Sequence, residues 1–321
     1  VTTLRQPRRA GPAGRPAGPV GRAGSAGRIR PRLSRDMWFL VPAIVFVIVT
    51  VLYPLIYNIG QSFFDVGIRE IVSGGAEWIG LDNYIDQFGR AEFWSSLGIS
   101  LLYTVATVAL SLVVGMALAV LFTADFPGRN YMRALVLAAW ILPTVVSANV
   151  WRWMLDGSYG LFNTILRGLG LIHEDVFWLG NPGTALPAVV IASAWSFAPF
   201  AMILLLAGLQ SVSVTLYEAA RIDGANRWQQ FRSITLPILR PVTVTTALLC
   251  FIYTFKTFDT VFLMTGGGPG GATSILPIYA YDQAFNFFEF GKSAVATTVL
   301  LIVPIFLSIF YFRSIRREER S

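Results

Sequence analysis

The run LPAVVIASAWSFAPFAMILLLAGL, Leu186–Leu209, is followed by the polar stretch YEAARIDGANRWQQFRSITLP, Tyr217–Pro237, and then by a second apolar run, Val242–Met264. As a helix, each apolar run is long enough to cross the hydrocarbon core of a bilayer, which takes about 20 residues. The polar stretch between them then lies on one side of a membrane. Working outward, four further runs read the same way: Trp38–Ile59, Leu97–Phe122, Tyr131–Leu155 and Ala294–Phe312. The expected architecture is an all-α membrane protein of six transmembrane helices over residues 36–313. Pro42, Pro54, Pro143, Pro199 and Pro304 fall inside the runs and mark expected kinks, tolerated where neighbouring helices satisfy the freed carbonyls.

Composition excludes a water-soluble fold. The 321 residues are 55% hydrophobic and 13% charged, with mean hydropathy +0.60; soluble domains carry about 25% charged residues. One cysteine, Cys250, and one histidine, His173, leave no disulfide framework, no multi-cysteine metal site and no histidine pair. Residues 1–35 are rich in Gly, Ala, Pro and Arg, with almost nothing to bury, and read as a disordered basic tail. A cleaved signal peptide is not expected, because the apolar run that follows is too long.

Orientation follows from the basic residues. With the N-terminus inside, 19 of the 25 Lys and Arg residues fall on the cytoplasmic side, and the preference survives removal of the tail, at 10 to 6. The positive-inside rule therefore predicts both termini in the cytoplasm, with residues 314–321 as a short cytoplasmic tail. Outer segments 60–96 and 156–185 are long enough to fold on the membrane surface, and Trp78, Trp94, Trp151, Trp153 and Trp178 near them suit an interfacial aromatic belt.

Tyr217–Pro237 then faces the cytoplasm. Its residues favour helix except at Gly224, which predicts a helix, a glycine turn and a second short helix. Ala219 and Ala220 form a small-residue face, framed by Glu218, Arg221, Asp223, Arg227 and Arg232, that another protein could approach closely. Pro237 and Pro241 are expected to end the short helix and open the fifth span.

Glu218-Ala219-Ala220, Asp223-Gly224-Ala225 and Ile234-Thr235-Leu236-Pro237 resemble the EAA loop of permease subunits in binding-protein-dependent ABC importers. Letters, spacing, sidedness and position before the fifth of six helices agree. The resemblance covers residues 36–312 and points to the carbohydrate branch. Gly80-Leu81-Asp82-Asn83-Tyr84 with Phe93–Leu97 is similar to that branch's first outer loop, and Phe258-Asp259 with Leu263–Gly271 to the outer end of its helix five. The latter pattern resembles the six-span first subunit of maltose- and glycerol-phosphate-type permeases. The resemblance implies the type I importer permease (MetI-like) fold. It implies that residues 211–240 form a coupling loop and that Glu218, Ala219, Ala220, Asp223 and Gly224 contact an ATPase. It also implies a heterodimer with a second, related permease, two cytoplasmic ATPase subunits, an extracytoplasmic solute-binding protein and a bacterial cytoplasmic membrane. No nucleic acid is involved. This chain is then not an enzyme and holds no cofactor of its own; ATP and Mg are used by the partner ATPase. The implied cargo is a carbohydrate, a di- or oligosaccharide, moved by alternating access.

The segment Thr265–Ser274, TGGGPGGATS, superficially suggests a phosphate loop but has no Lys followed by Ser or Thr, and it faces outward. A flexible outer loop is expected there. Intramembrane polar and aromatic residues mark a candidate solute pathway: Asn149, Trp195, Ser196, Phe200, Tyr253, Lys256 and Asp259. Lys256 and Asp259 stand three apart and are expected to share one helical face, where they could pair. Neither a strong internal repeat, as in many ion-driven transporters, nor a clustered acid–base or nucleophile set, as in an enzyme, is apparent.

Overall fold

The computed structural model describes residues 39–318. The expected disordered tail, 1–35, and the end of the C-terminal tail lie outside the described residues. The chain divides into two units, one ending at Leu52 and one starting at Tyr53. In the first, Val41–Val47 is α-helical and Ile48–Leu52 forms a wider π-helical turn. Every described residue of that unit is exposed, as suits a helix whose solvent is lipid.

The candidate spans are α1 (Val41–Gln61), α2 (Ala91–Leu121), the pair α3 (Arg129–Ile141) and α4 (Thr144–Met154), α5 (Pro182–Gln210), α7 (Arg227–Phe255) and α9 (Phe290–Glu318). Counting the pair as one span, six agree with the six expected. Two further helices, α6 (Val214–Ile222) and α8 (Asp259–Thr265), carry functional candidates.

Three expectations about the spans are corrected. Tyr131–Leu155 is not one straight span: α3 and α4 meet at 97°. Pro143 stands at the N-cap of α4 with ψ 134, and with no N–H to donate it stops the helix, while Leu142 before it is pushed out of helical geometry (ψ 136). The fifth run also breaks, at Lys256–Phe258, between α7 and α8. Pro42 kinks nothing, because it occupies the first turn of its helix, where the missing N–H is unsatisfied anyway. Near Pro54 and Pro237 the chain widens into π turns, Ile48–Leu52 and Phe231–Thr235, which give room around a carbonyl the proline cannot satisfy.

Helix α5 is the most buried span and packs chiefly on α2. Small residues let them touch: a Cβ added at Gly115 would stand 2.8 Å from the Ala201 Cβ and 3.1 Å from the Ala198 carbonyl oxygen. In lipid, association rests on such close packing and on hydrogen bonds across helices. The buried hydroxyls of Tyr103 and Ser193 meet at 2.8 Å, and Ser100 Oγ accepts the Leu276 N–H at 2.6 Å.

The segments expected on the outer side are ordered. Phe64–Asp65 pairs antiparallel with Glu77–Trp78, Phe64 opposite Trp78. Buried Asn83 donates to the carbonyls of Ser62 and Phe64 at 3.0 and 2.9 Å. Asn163 donates to Gly157 and Val176 and accepts from Trp178 Nε1 at 2.8 Å. Trp151 and Trp178 are thus packing residues rather than belt residues, whereas Trp78, Trp94 and Trp153 stay exposed. The glycine loop is also ordered: fully buried Thr273 donates to the Gly268 carbonyl and meets the Thr265 hydroxyl, both at 2.7 Å, so the expectation of flexibility fails.

A charged cluster ties the segment before α2 to the start of α9. Asp86 meets Arg90 at 2.9 Å and Lys292 at 3.3 Å, and Lys292 also meets Glu289 at 2.8 Å. Burial pushes the Asp86 carboxyl up, but hydrogen bonds from Arg90 and Lys292 outweigh it and hold the group below its ordinary 3.8. The charged form therefore stabilises the fold above about that pH, and the contribution is lost as pH falls through the lowered value. Asp86→Asn is expected to lower folding stability slightly at neutral pH, by less than about 1 kcal/mol for so exposed a pair. The two proteins should converge below pH 3.8, and a constant offset across an acid titration would contradict this.

Candidate coupling loop and solute pathway

The loop between α5 and α7 is built by local chemistry. Helix α6 ends in a paired cap: the Ala225 N–H bonds the Ala220 carbonyl at 2.8 Å and the Gly224 N–H bonds the Arg221 carbonyl at 3.1 Å. That closure needs a left-handed residue, and Gly224 has φ 81. Two residues on, Asn226 caps the next helix reciprocally: it accepts the Gln229 N–H at 2.9 Å, and Gln229 Oε1 accepts the Asn226 N–H at 2.8 Å. Buried Gln230 donates to the Ala225 carbonyl at 2.8 Å, and the Tyr217 and Thr235 hydroxyls meet at 2.9 Å across the two arms. The expected helix, glycine turn and second helix are all present. The second helix does not end at Pro237, however; it continues through the π turn at Phe231–Thr235 into α7, so Arg227–Phe255 is one rod.

The structure brings the five expected coupling residues into one exposed feature. Glu218, Ala219, Asp223 and Gly224 are exposed and Ala220 is half-buried. Arg221, Arg227 and Arg232 are exposed around them, and among the described residues none of these charges forms an ion pair with another. Sequence reasoning missed two neighbours: Ile222, 88% exposed, and Trp228, 66% exposed and stacked on Phe231 at 5.7 Å. Their signal was legible, since large apolar residues in a polar loop have no membrane to face.

The seven pathway candidates separate. Phe200 lies 6.0 Å from Tyr253, and Trp140, which sequence reasoning did not select, lies 5.4 Å from Phe200. Lys256 Nζ stands 5.1 Å over the Tyr253 ring. Trp195, 41% exposed, meets Trp151 edge-on at 5.9 Å. Ser196 bonds the Ala192 carbonyl at 3.3 Å and Asn149 the Val145 carbonyl at 2.7 Å, each within its own helix. The expected shared helical face of Lys256 and Asp259 is corrected. Lys256 caps α7 and Asp259 begins α8, with a break between them, and among the described residues no ion pair joins them. Irregular backbone at membrane depth is tolerated only where it is buried in protein or lines a water-filled cavity, and the break at Lys256–Phe258 places a cation, an anion and aromatic rings together at such a point.

These features define a multi-span helical membrane protein with an exposed helix–glycine–helix loop before its fifth span. The family model described as "Binding-protein-dependent transport system inner membrane component" matches residues 111–320. The chain is 36% identical over 276 residues to a protein named trehalose/maltose transport system permease protein MalF from Thermococcus litoralis, covering 85% of this chain and 91% of that one. It is 32% identical over 280 residues to a sulfoquinovosyl glycerol transport system permease protein, SmoG, from Agrobacterium fabrum, covering 87% and 90%. A bacterial ABC transporter involved in import of the acidic polysaccharide alginate superposes with TM-score 0.75 at 22% identity, covering 89% of this chain and 97% of that one, and shares the fold.

The chain therefore belongs to the inner membrane components of binding-protein-dependent transport systems, the permease subunits of ABC importers. ATP hydrolysis in such importers belongs to a separate ATPase, and this chain is the non-enzymatic membrane component.

Proposed function

We propose that this chain is one of two related permeases in a heterodimer that imports a carbohydrate, a di- or oligosaccharide, across the bacterial cytoplasmic membrane. Both termini and the loop 211–240 lie in the cytoplasm. Two ATPase subunits, which use ATP and Mg, act on that loop, and an extracytoplasmic binding protein delivers the solute. This permease holds no cofactor. The domain division follows: a basic tail 1–35, a permease domain 36–313, and a cytoplasmic tail 314–321, into which the last helix extends as far as Glu318. Relatives named for trehalose/maltose and sulfoquinovosyl glycerol support a sugar cargo.

The observation that carries the reading is the fusion of the doubly capped loop to α7. Force applied at Glu218, Ala219, Ala220, Asp223 and Gly224 passes through Gln230 and Tyr217 into a rod that ends at Lys256, beside the pathway candidates. A nucleotide shifts the inward–outward equilibrium only through its different affinity for the two states, and this rod is the element on which closure of the ATPase pair would act. Asn149, Trp195, Ser196, Phe200, Tyr253, Lys256 and Asp259 are the proposed solute contacts, with aromatic faces for pyranose rings and polar groups for hydroxyls.

The test is uptake by the reconstituted complex, with its binding protein, against a panel of oligosaccharides, with and without ATP. Uptake that persists without ATP would overturn the reading. In the same assay Asp259→Asn is expected to cut transport about tenfold, the worth of a hydrogen bond to a charged group, about 1.5–3 kcal/mol. The thermal midpoint should stay unchanged, because Asp259 is exposed and makes no ion pair with Lys256. Unaltered transport with lowered stability would instead make Asp259 a structural residue.

A further inference from the structure

The short helix Asp82–Gly89, which leads into α2, is inside out for a water-facing element. Its buried residues are polar: Asn83, and Gln87, which accepts the Tyr279 hydroxyl at 2.6 Å. Its large apolar residues are exposed, Ile85 at 69% with Leu81 and Phe88 beside it. At about 3.6 residues per turn, Leu81, Ile85 and Phe88 form one stripe along the helix, and Asp82, Asp86 and Arg90 form another on a different side. Asp86 and Arg90 pair within that second stripe at 2.9 Å. The helix therefore has three sides: a polar one fixed to the protein, a charged one and a bare apolar one.

The bare side does not stop with this helix. Trp94 Nε1 donates to the Phe88 carbonyl at 2.8 Å, and the two rings lie 5.8 Å apart. Exposed Trp94 in turn opens a stripe down α2 through Leu101 and Val105, both exposed. With 31 residues, α2 is about 46 Å long against about 30 Å of hydrocarbon, so its first turns stand at headgroup level. A large exposed apolar stripe there calls for an apolar neighbour, and the neighbour this stripe runs into without a break is the one that bathes the span. We infer that Asp82–Gly89 lies in the membrane interface, with Leu81, Ile85 and Phe88 sunk among the acyl chains and Asp82, Asp86 and Arg90 turned to water. Helices of this kind sink by about 5–10 Å, less than the roughly 10–12 Å width of a helix, so one side stays wet while the other is dry. Exposed Trp78 and Trp94 suit the same level, where indole rings are favoured. The bilayer surface then sets the depth of what the helix holds: the Phe64 carbonyl through Asn83, Tyr279 through Gln87, and the start of α9 through Asp86 and Lys292.

The test uses the complete transporter, purified with its second permease and ATPase and reconstituted in vesicles of phosphatidylcholine and phosphatidylglycerol. A nitroxide is attached at Ile85→Cys and, in a separate sample, at Asp82→Cys. Native Cys250 is buried and does not compete for the label, and the partner subunits are used in cysteine-free form. Relaxation by oxygen, which concentrates in lipid, and by a water-soluble nickel chelate reads the depth of each label. The label at Ile85 should be reached by oxygen and shielded from nickel, at about 5–10 Å below the headgroups, and the label at Asp82 should show the reverse. Leu81→Cys should match Ile85→Cys, and it decides the matter should Ile85→Cys fail to assemble. Nickel access at the apolar stripe equal to that at Asp82 would overturn the inference, because the stripe would then face water. Shielding of the stripe from both reagents would equally overturn it, because protein instead of lipid would then cover it.

Discussion

Gly224→Val is expected to leave the permease inserted and assembled but to lower solute-stimulated ATP hydrolysis and transport at least about tenfold. The position is open: a Cβ there would meet nothing within 4 Å, so no clash is involved. The cost is conformational. Gly224 holds φ 81, where an L-residue loses about 1–2 kcal/mol, and a β-branched side chain is a genuine outlier. Valine would pull the residue back to negative φ and open the paired bonds at Ala220 and Arg221. The arms would then diverge, and Glu218, Ala219 and Ala220 would no longer be presented beside Asp223. Asparagine tolerates this region best after glycine, so Gly224→Asn should keep most activity, with aspartate between the two. ATPase assays on the three variants, with co-purification as the assembly control, check the ranking. Equal loss in valine and asparagine would point to direct contact with the glycine rather than to backbone geometry.

The second large effect belongs to the interior. Gly115→Leu should destabilise the permease by about 3 kcal/mol, or about 10 °C in thermal midpoint, and deplete it from membranes. The added Cβ alone would sit 2.8 Å from the Ala201 Cβ and 3.0 Å from the Met202 backbone nitrogen, and neither is the movable end of a side chain. Gly98→Leu is the matched control on the same helix, since a Cβ at Gly98 meets nothing within 4 Å. Thermal unfolding in detergent separates them. Similar midpoints for the two variants would mean that α2 and α5 can move apart without cost.

Much of the site could be read without coordinates, because the signals are local. Gly224 followed by Asn226 and Gln229 encodes a left-handed cap and a capping box within six residues, and the loop forms accordingly. The break at Lys256–Phe258 was not legible. Nothing between Thr254 and Asp259 is a strong helix breaker, and the run is apolar enough to pass as a continuous span. The expected Lys256–Asp259 pair assumed an unbroken helix and failed with it. Pro143 was read as a kink, but a 97° turn depends on what α3 and α4 pack against, α5 in one case and α8 in the other. The glycine loop at Thr265–Ser274 misled for a related reason: composition suggested freedom, while one buried hydroxyl, Thr273, removes it.

By itself the chain's order of residues determined that this is a helical membrane protein of six spans with a helix–glycine–helix loop before the fifth. Both follow from short-range physics: apolar runs matched to bilayer thickness, and backbone groups satisfied by neighbours a few residues away. Only the tertiary structure decided that Trp140 joins Phe200 and Tyr253, that Lys256 and Asp259 part, and that Trp151 and Trp178 pack inside the protein. Those outcomes depend on which helix faces which, and that is set by packing among side chains far apart in the chain, such as Gly115 against Ala201.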